Sequence, residues 1–279
     1  LDLDINYLQE DVKSQIVKNI QCLKKEKFDD YEKKLEYNLE FAISYLYFEQ
    51  AFEIMHMMLI YNIDKRNFDS IQAIIPKYYD VSLKCKNIKY RLNYYMDIAS
   101  YLFKFEEYMQ AAGYYNTIKK EASEKNEYGF IADATLNECM CYMKSKQYNM
   151  ANDLIETLFD LIEHFDTDSK IARLYSIKGM LALILERDRF KYYEKKCYDL
   201  YKDDNAGKAE AMYNYAYIMF ELGNKEMGIS YLKDAIDYYP KEDKSNLVQF
   251  TLSCIKKFID NGAVDEAANV IDEDRKSVV

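Results

Sequence analysis

The sequence has 279 residues, 49% of them hydrophobic, with seven glycines, two prolines, 29 tyrosines and no tryptophan. So few turn residues exclude sandwiches, barrels and doubly wound sheets, and so much apolar area excludes a disordered chain, leaving an all-α protein of two domains or one solenoid. A formal charge of −10 makes the segment a poor ligand for phosphate backbones by itself.

In chain order, residues 1–52 have helical character without a readable repeat. The run KKEKFDDYEKK within them fits an exposed helix face with i,i+4 charge pairs. From residue 53 a pattern emerges: a small residue within one helix, a turn, then a small residue within the next. Residues 53–76 fit it loosely through Phe68 and Pro76. Residues 93–118 fit through Ala99 and Ala111 with Tyr108 at the turn, and 133–158 through Cys139 and Ala151 with Tyr148 at the turn. Residues 172–200 match at Gly179, but RDRFKYYEKK supplies no small residue at the second crossing. The clearest unit is 209–240, with Ala216 and Gly228 at the small positions, Gly223 at the turn and Pro240 at the end. In 248–271, Gly262 and Ala267 match while Ile255 is large for its slot. Two helices approach closely only where a side chain is small, and the turn favours a residue tolerant of positive φ.

This pattern resembles the tetratricopeptide repeat. The second small positions Ala111 and Ala151 are 40 residues apart, and Gly228 and Ala267 are 39 apart, against about 34 in that family. The expected fold is therefore all-α: a right-handed superhelix of tetratricopeptide-like hairpins with longer than usual repeats. Residues 1–90 would form N-terminal helices with one or two degenerate repeats, and 91–279 four to five repeats and a C-terminal cap. The resemblance implies that each first helix lines a concave groove. Carried over, it turns Asn93, Met96, Asp97, Ser100 and Phe103 inward, then Asp133, Leu136, Asn137, Met140 and Met143. Arg173, Ser176, Met180 and Leu183 follow, then Glu210, Tyr213, Asn214, Tyr217 and Phe220, with His56 and Ile60 in the early unit. Asn137, Asn214 and Asp97 share one template position. Two readings stand for them: side-chain amides clamping a ligand backbone, or surface polar residues of a chain rich in asparagine.

No nucleotide-binding or hydrolase motif is present, and His56 and His164 lack the spacing of a metal pair, so neither catalysis nor a cofactor or metal is expected. His164 fits a helix end, and Asp272, Glu273 and Asp274 a solvated terminus. The six cysteines form no C-x-x-C pair and are expected as reduced, buried thiols of a cytoplasmic protein. No apolar run is long enough for a membrane span. Because the chain starts at Leu1, it is expected to be a piece of something longer.

Long, imperfect repeats over 90–274, with Asn137 and Asn214 in the groove, resemble the peptide-pheromone receptors of Gram-positive bacteria, the Rap, Rgg, NprR, PlcR and PrgX group. The opening LDLDINYLQED is similar to the last helix of bacterial helix-turn-helix domains, which would make residues 1–9 a remnant of one. The resemblance implies a quorum-sensing transcriptional regulator whose sensor domain binds a short signalling peptide. Asn137, Asn214 and Asp97 would hold its main chain, with Phe103, Met140, Tyr213, Tyr217 and Arg173 around it. DNA would be contacted only through a helix-turn-helix outside this chain, and a homodimer is expected. The alternatives are a tetratricopeptide scaffold or chaperone, or a Rap-like inhibitor of a signalling protein.

Overall fold

The computed structural model describes residues 5–25, 30–165, 167–185, 187–241 and 244–277. Among them no strand occurs, and the chain divides into two compact units, Leu1–Lys125 and Asn126–Val279. The first holds α1 (Ile5–Lys25), α2 (Tyr31–Ser44), α3 (Phe48–Lys65), α4 (Phe68–Lys84), α5 (Ile88–Lys104) and α6 (Tyr108–Ser123). The second holds α7 (Tyr128–Lys144), α8 (Tyr148–Glu156), a 3₁₀ turn (Phe159–His164) and α9 (Asp168–Leu185). After a 3₁₀ turn at Arg187–Arg189 it continues with α10 (Phe190–Tyr201), α11 (Asn205–Glu221), α12 (Lys225–Tyr238), α13 (Lys244–Asp260) and α14 (Val264–Ser277). The division falls one hairpin later than the expected one at 90 and 91, because α5 packs on α3 and α4. The opening residues 1–4, the segment 26–29 of KKEKFDDYEKK, and the side chains of 5–11 and of Glu273 and Asp274 lie outside the described residues.

The helices pair as hairpins, α3 with α4, α5 with α6, and so on to α13 with α14. First helices from α5 onward begin at 88, 128, 168, 205 and 244, spacings of 40, 40, 37 and 39 residues. The all-α helical repeat fold is thus observed, with repeats longer than the family average. The small positions sit where the helices cross: Ala99, Ala111, Cys139, Ala151 and Ala216 are fully buried. A Cβ on Gly228 would come within 2.8 Å of the Phe220 ring, and one on Gly179 within 2.9 Å of the Tyr215 hydroxyl. Each unit has its own core, the first built around Leu35, Ile54 and Tyr78, the second around Leu136, Tyr215 and Phe258. Burying one such side chain contributes roughly 1.5–3 kcal/mol.

Six hairpin and helix-pair turns close the same way. Leu46, Arg66, Glu106, Lys146, Gly223 and Gly262 have φ between 54° and 75°. The next residue's N–H then reaches back five positions, as in Glu107 to Leu102 (2.9 Å), Gln147 to Tyr142 (2.8 Å) and Asn224 to Met219 (2.8 Å). This is the Schellman closure, which satisfies carbonyls a helix end would otherwise leave open. It corrects the expected turns: Tyr108 and Tyr148 open α6 and α8, and the left-handed residues are Glu106 and Lys146. Pro76 lies inside α4 rather than closing a repeat, whereas Pro240 follows α12 as expected. Cys139, Cys141, Cys197 and Cys254 are buried free thiols, but Cys22 is exposed and Cys85 only half-buried. His164 ends its 3₁₀ turn, stacked on Tyr128 at 4.3 Å. No described helix is long and apolar enough to cross a membrane.

Candidate functional site

Three consecutive first helices of the second unit, α7, α9 and α11, carry polar and thioether side chains toward one cavity of about 410 Å³. Helical spacing places Arg173, Ser176 and Met180 on one face of α9, and Glu210 and Asn214 on one face of α11. Met140 comes from α7. The floor is supplied by Tyr201, at the end of α10, and Gly207, where any side chain would overlap the tyrosine ring. Asp204 caps α11 by accepting from the Gly207 N–H at 2.9 Å, which fixes the entry of that helix beside the cavity.

The polar groups are in different states. Arg173 Nη2 donates to Asn137 Oδ1 at 2.5 Å, so the Asn137 amide is engaged by the protein itself. The Asn214 side chain, half-buried at the cavity wall, makes no hydrogen bond among the described residues. Glu210 sits at the rim, where desolvation raises its carboxyl pKa above the ordinary carboxylate value; the charge of Arg173 opposes that shift and Asp204 adds to it. Lys170 and Asp133 pair at 2.9 Å between α9 and α7.

A narrow slot continues from the cavity toward the other end of α11, sharing Met140, Met180 and Asn214 and adding Lys144, Lys146, Tyr148, Tyr217 and Glu221. Above the Tyr217 ring stand two ammonium groups, Lys144 Nζ at 3.8 Å and Lys257 Nζ at 4.5 Å from its centroid. Both distances lie within the range of cation–π attraction.

Of the residues singled out from sequence, Met140, Arg173 and Asn214 line the cavity, and Tyr217 lines the slot. Asn137 reaches the group through Arg173. Tyr213 does not line it. Its ring turns to Phe250 of α13, at 5.9 Å, because the following hairpin presents an aromatic partner there. Asp97 and Phe103 belong to the first unit. Asp97 Oδ2 accepts from the buried Tyr78 hydroxyl at 2.6 Å and pairs with His56 Nδ1 at 2.7 Å, while Phe103 meets Tyr108 edge-on at 5.2 Å. Sequence reasoning missed Tyr201, Asp204 and Gly207, which come from the end of a second helix, the turn after it and the first turn of α11. It also missed Lys144 and Lys257, whose shared ring is visible only once α13 is packed. Among the described residues no group of three or more His, Cys, Asp or Glu is arranged to hold a metal ion.

Among solved structures the chain is similar to NprR in complex with its cognate peptide NprX, with a TM-score of 0.60 and 16% identity over 98% of this chain and 78% of that one. It is also similar to BtubC (BKLC) from P. vanneervenii, with a TM-score of 0.52 and 11% identity over 81% of this chain and 90% of that one. No protein-family model matches the chain, and no curated protein matches its sequence. At these identities the likeness establishes the helical repeat fold.

Proposed function

We propose that the chain is a peptide-binding sensor domain, with a short linear peptide held against α7, α9 and α11 of the second unit. The observation that carries this reading is the Asn214 amide, without a hydrogen bond among the described residues, at the wall of a cavity flanked by Met140 and Met180. An amide offers both a donor and an acceptor, which suits a peptide main chain, and thioethers adapt to varied side chains. The cavity volume lies within the range of small-ligand sites. The similarity to NprR, whose structure contains its cognate peptide, supports the same reading. In this proposal the protein acts by binding rather than catalysis, as part of a quorum-sensing transcriptional regulator that works as a homodimer. The charge of −10 supports assigning any DNA contact to a helix-turn-helix outside this chain.

The test is to capture ligands from a pool of synthetic linear pentapeptides on the purified chain and identify them by mass spectrometry. Captured peptides should raise the melting temperature. Asn214→Ala and Arg173→Ala should each weaken binding about tenfold, the scale of one lost hydrogen bond in a partly dry site. Absence of any captured peptide, or unchanged affinity in both variants, overturns the reading. Capture only of long protein tails would favour a scaffold instead.

A further inference from the structure

We infer that the face of the first unit between α2 and α4 docks a basic amphipathic helix of a partner protein, one that carries arginine or lysine at successive turns beside an apolar stripe.

Two stripes run side by side along the exposed surface of α2. Glu32, Glu36 and Glu40, four residues apart, line a cavity of about 570 Å³. Tyr37, Phe41 and Tyr45, also four apart, form the second stripe and are 61, 37 and 42% exposed. Their rings follow one another, with centroids 5.4 and 5.5 Å apart. Contacts between neighbouring turns support a helix only weakly. They do not account for three contiguous rings left open to solvent, which mark an interaction surface.

Beside the glutamates the cavity is apolar. Leu39 and the exposed Ile43 of α2 flank it over Met55 and Met58 of α3, whose thioethers repack readily around an incoming side chain. The α4 wall is low, with Ser70 and Ala73 followed by Lys77 on one face of that helix. Small side chains there admit another helix, as they do at the crossings inside the repeats.

Charge selects the occupant. The lining carries three carboxylates against one cation, Lys77. Among the described residues the carboxylates of Glu32, Glu36 and Glu40 enter no ion pair or hydrogen bond. On α2 itself, Lys34 is held by Asp30 at 2.9 Å, and Lys33 does not line the cavity. Glu32 lies in the first turn of α2, where it complements the helix dipole; Glu36 and Glu40 have no such role. Carboxylates that recur every four residues, a rise of about 6 Å, face arginines or lysines recurring at the same interval on a second helix. The apolar stripe of that helix enters the groove at Leu39 and Ile43, and an arginine beside it can lie on the Tyr37 or Phe41 ring. The same surface repels nucleic acid and acidic segments.

The test uses the full chain and a labelled synthetic peptide of about 18 residues, long enough to hold a helix, with leucine on one face and arginine flanking it. A second peptide has glutamate for arginine, and a third has serine for leucine. Fluorescence anisotropy at physiological salt should show the first peptide binding at least tenfold more tightly than either of the others. Glu36→Lys with Glu40→Lys should abolish that binding, and Tyr37→Ala with Phe41→Ala should weaken it about tenfold. Asp199→Lys with Asp237→Lys, an equal change of charge at two exposed positions of the second unit, should leave it unchanged. Equal losses in the two charge-reversed variants would show attraction to the overall charge alone and overturn the assignment, as would undiminished binding of the serine peptide. A dimer in sedimentation that the Tyr37 and Phe41 substitutions dissociate would give this face to a second copy of the chain, and equally overturns it. Thermal unfolding of each variant within a few degrees of the parent keeps a folding defect from imitating the result.

Discussion

The two units use one template position in opposite ways. In the first, Asp97 is occupied: a single carboxylate oxygen takes the buried Tyr78 hydroxyl and the His56 imidazole. In the second, Asn137 is tied to Arg173, and Asn214 has no hydrogen bond among the described residues beside an open cavity. A polar residue facing inward from a first helix is therefore not in itself a binding group. It becomes one where the protein leaves its hydrogen-bonding capacity unspent and keeps space in front of it. The first unit has converted that capacity into internal order at Asp97, as the second has at Asn137, while at Asn214 it stays open among the described residues.

The sharpest way to break this comparison is to remove the two side chains in parallel. Asp97→Ala leaves the fully buried Tyr78 hydroxyl without its acceptor and should destabilise the chain by about 2–3 kcal/mol. Asn214→Ala, which orphans nothing, should cost less than about 0.5 kcal/mol. Urea unfolding followed by circular dichroism measures both, and equal losses would show that Asn214 is structural too. Next in size is Gly228→Ala. Its new Cβ would press on the Phe220 ring, costing about 1–3 kcal/mol, although the corresponding first-unit position already accepts Ala111.

A smaller effect tests what the units share. Glu106→Gly in the first and Lys146→Gly in the second relieve a left-handed turn residue and should each stabilise by about 0.5–1 kcal/mol, the gain reduced by glycine's greater unfolded freedom. Thermal unfolding should show the same sign in both.

The smallest effect is a pH dependence confined to the first unit. The hydrogen bond that His56 donates to the Asp97 carboxylate raises the His56 pKa above its ordinary value, against desolvation and the charge of Lys24. Its stabilisation is therefore fully present below about pH 6.5 and is lost as pH rises through the raised folded value. With the imidazole side chain 46% exposed, solvent screening holds the contribution below about 1 kcal/mol. His56→Gln should flatten the difference in unfolding midpoint between pH 6 and pH 8.5, and an unchanged difference would remove His56 from the account.

How much of this was legible in the sequence follows from what each feature is made of. Ala99, Ala111, Ala151, Ala216 and Gly228 were readable because close helix crossings admit few side chains. Glu106 and Lys146 were not, because a main-chain closure holds the left-handed turn and no side-chain signature is required. Met140, Arg173 and Asn214 could be placed on the inner face by helical spacing alone. Tyr213 could not be separated from Tyr217 that way, since its fate was decided by Phe250 of another hairpin. The same holds for Lys144 and Lys257, which meet at one ring only through packing. That Asp97 would be consumed by Tyr78 and His56 depended on two further helices, and nothing in its own segment announced it.

The six backbone closures have a consequence for drift. Four of the six turn residues are Leu, Arg, Glu and Lys, so the geometry of a hairpin survives changes that erase its glycine signature. What remains under constraint is a sparse set of crossings, and the positions between them are free to diverge. A fold specified this way can persist at 11% and 16% identity to the solved structures it is similar to, with nearly every side chain outside the crossings exchanged.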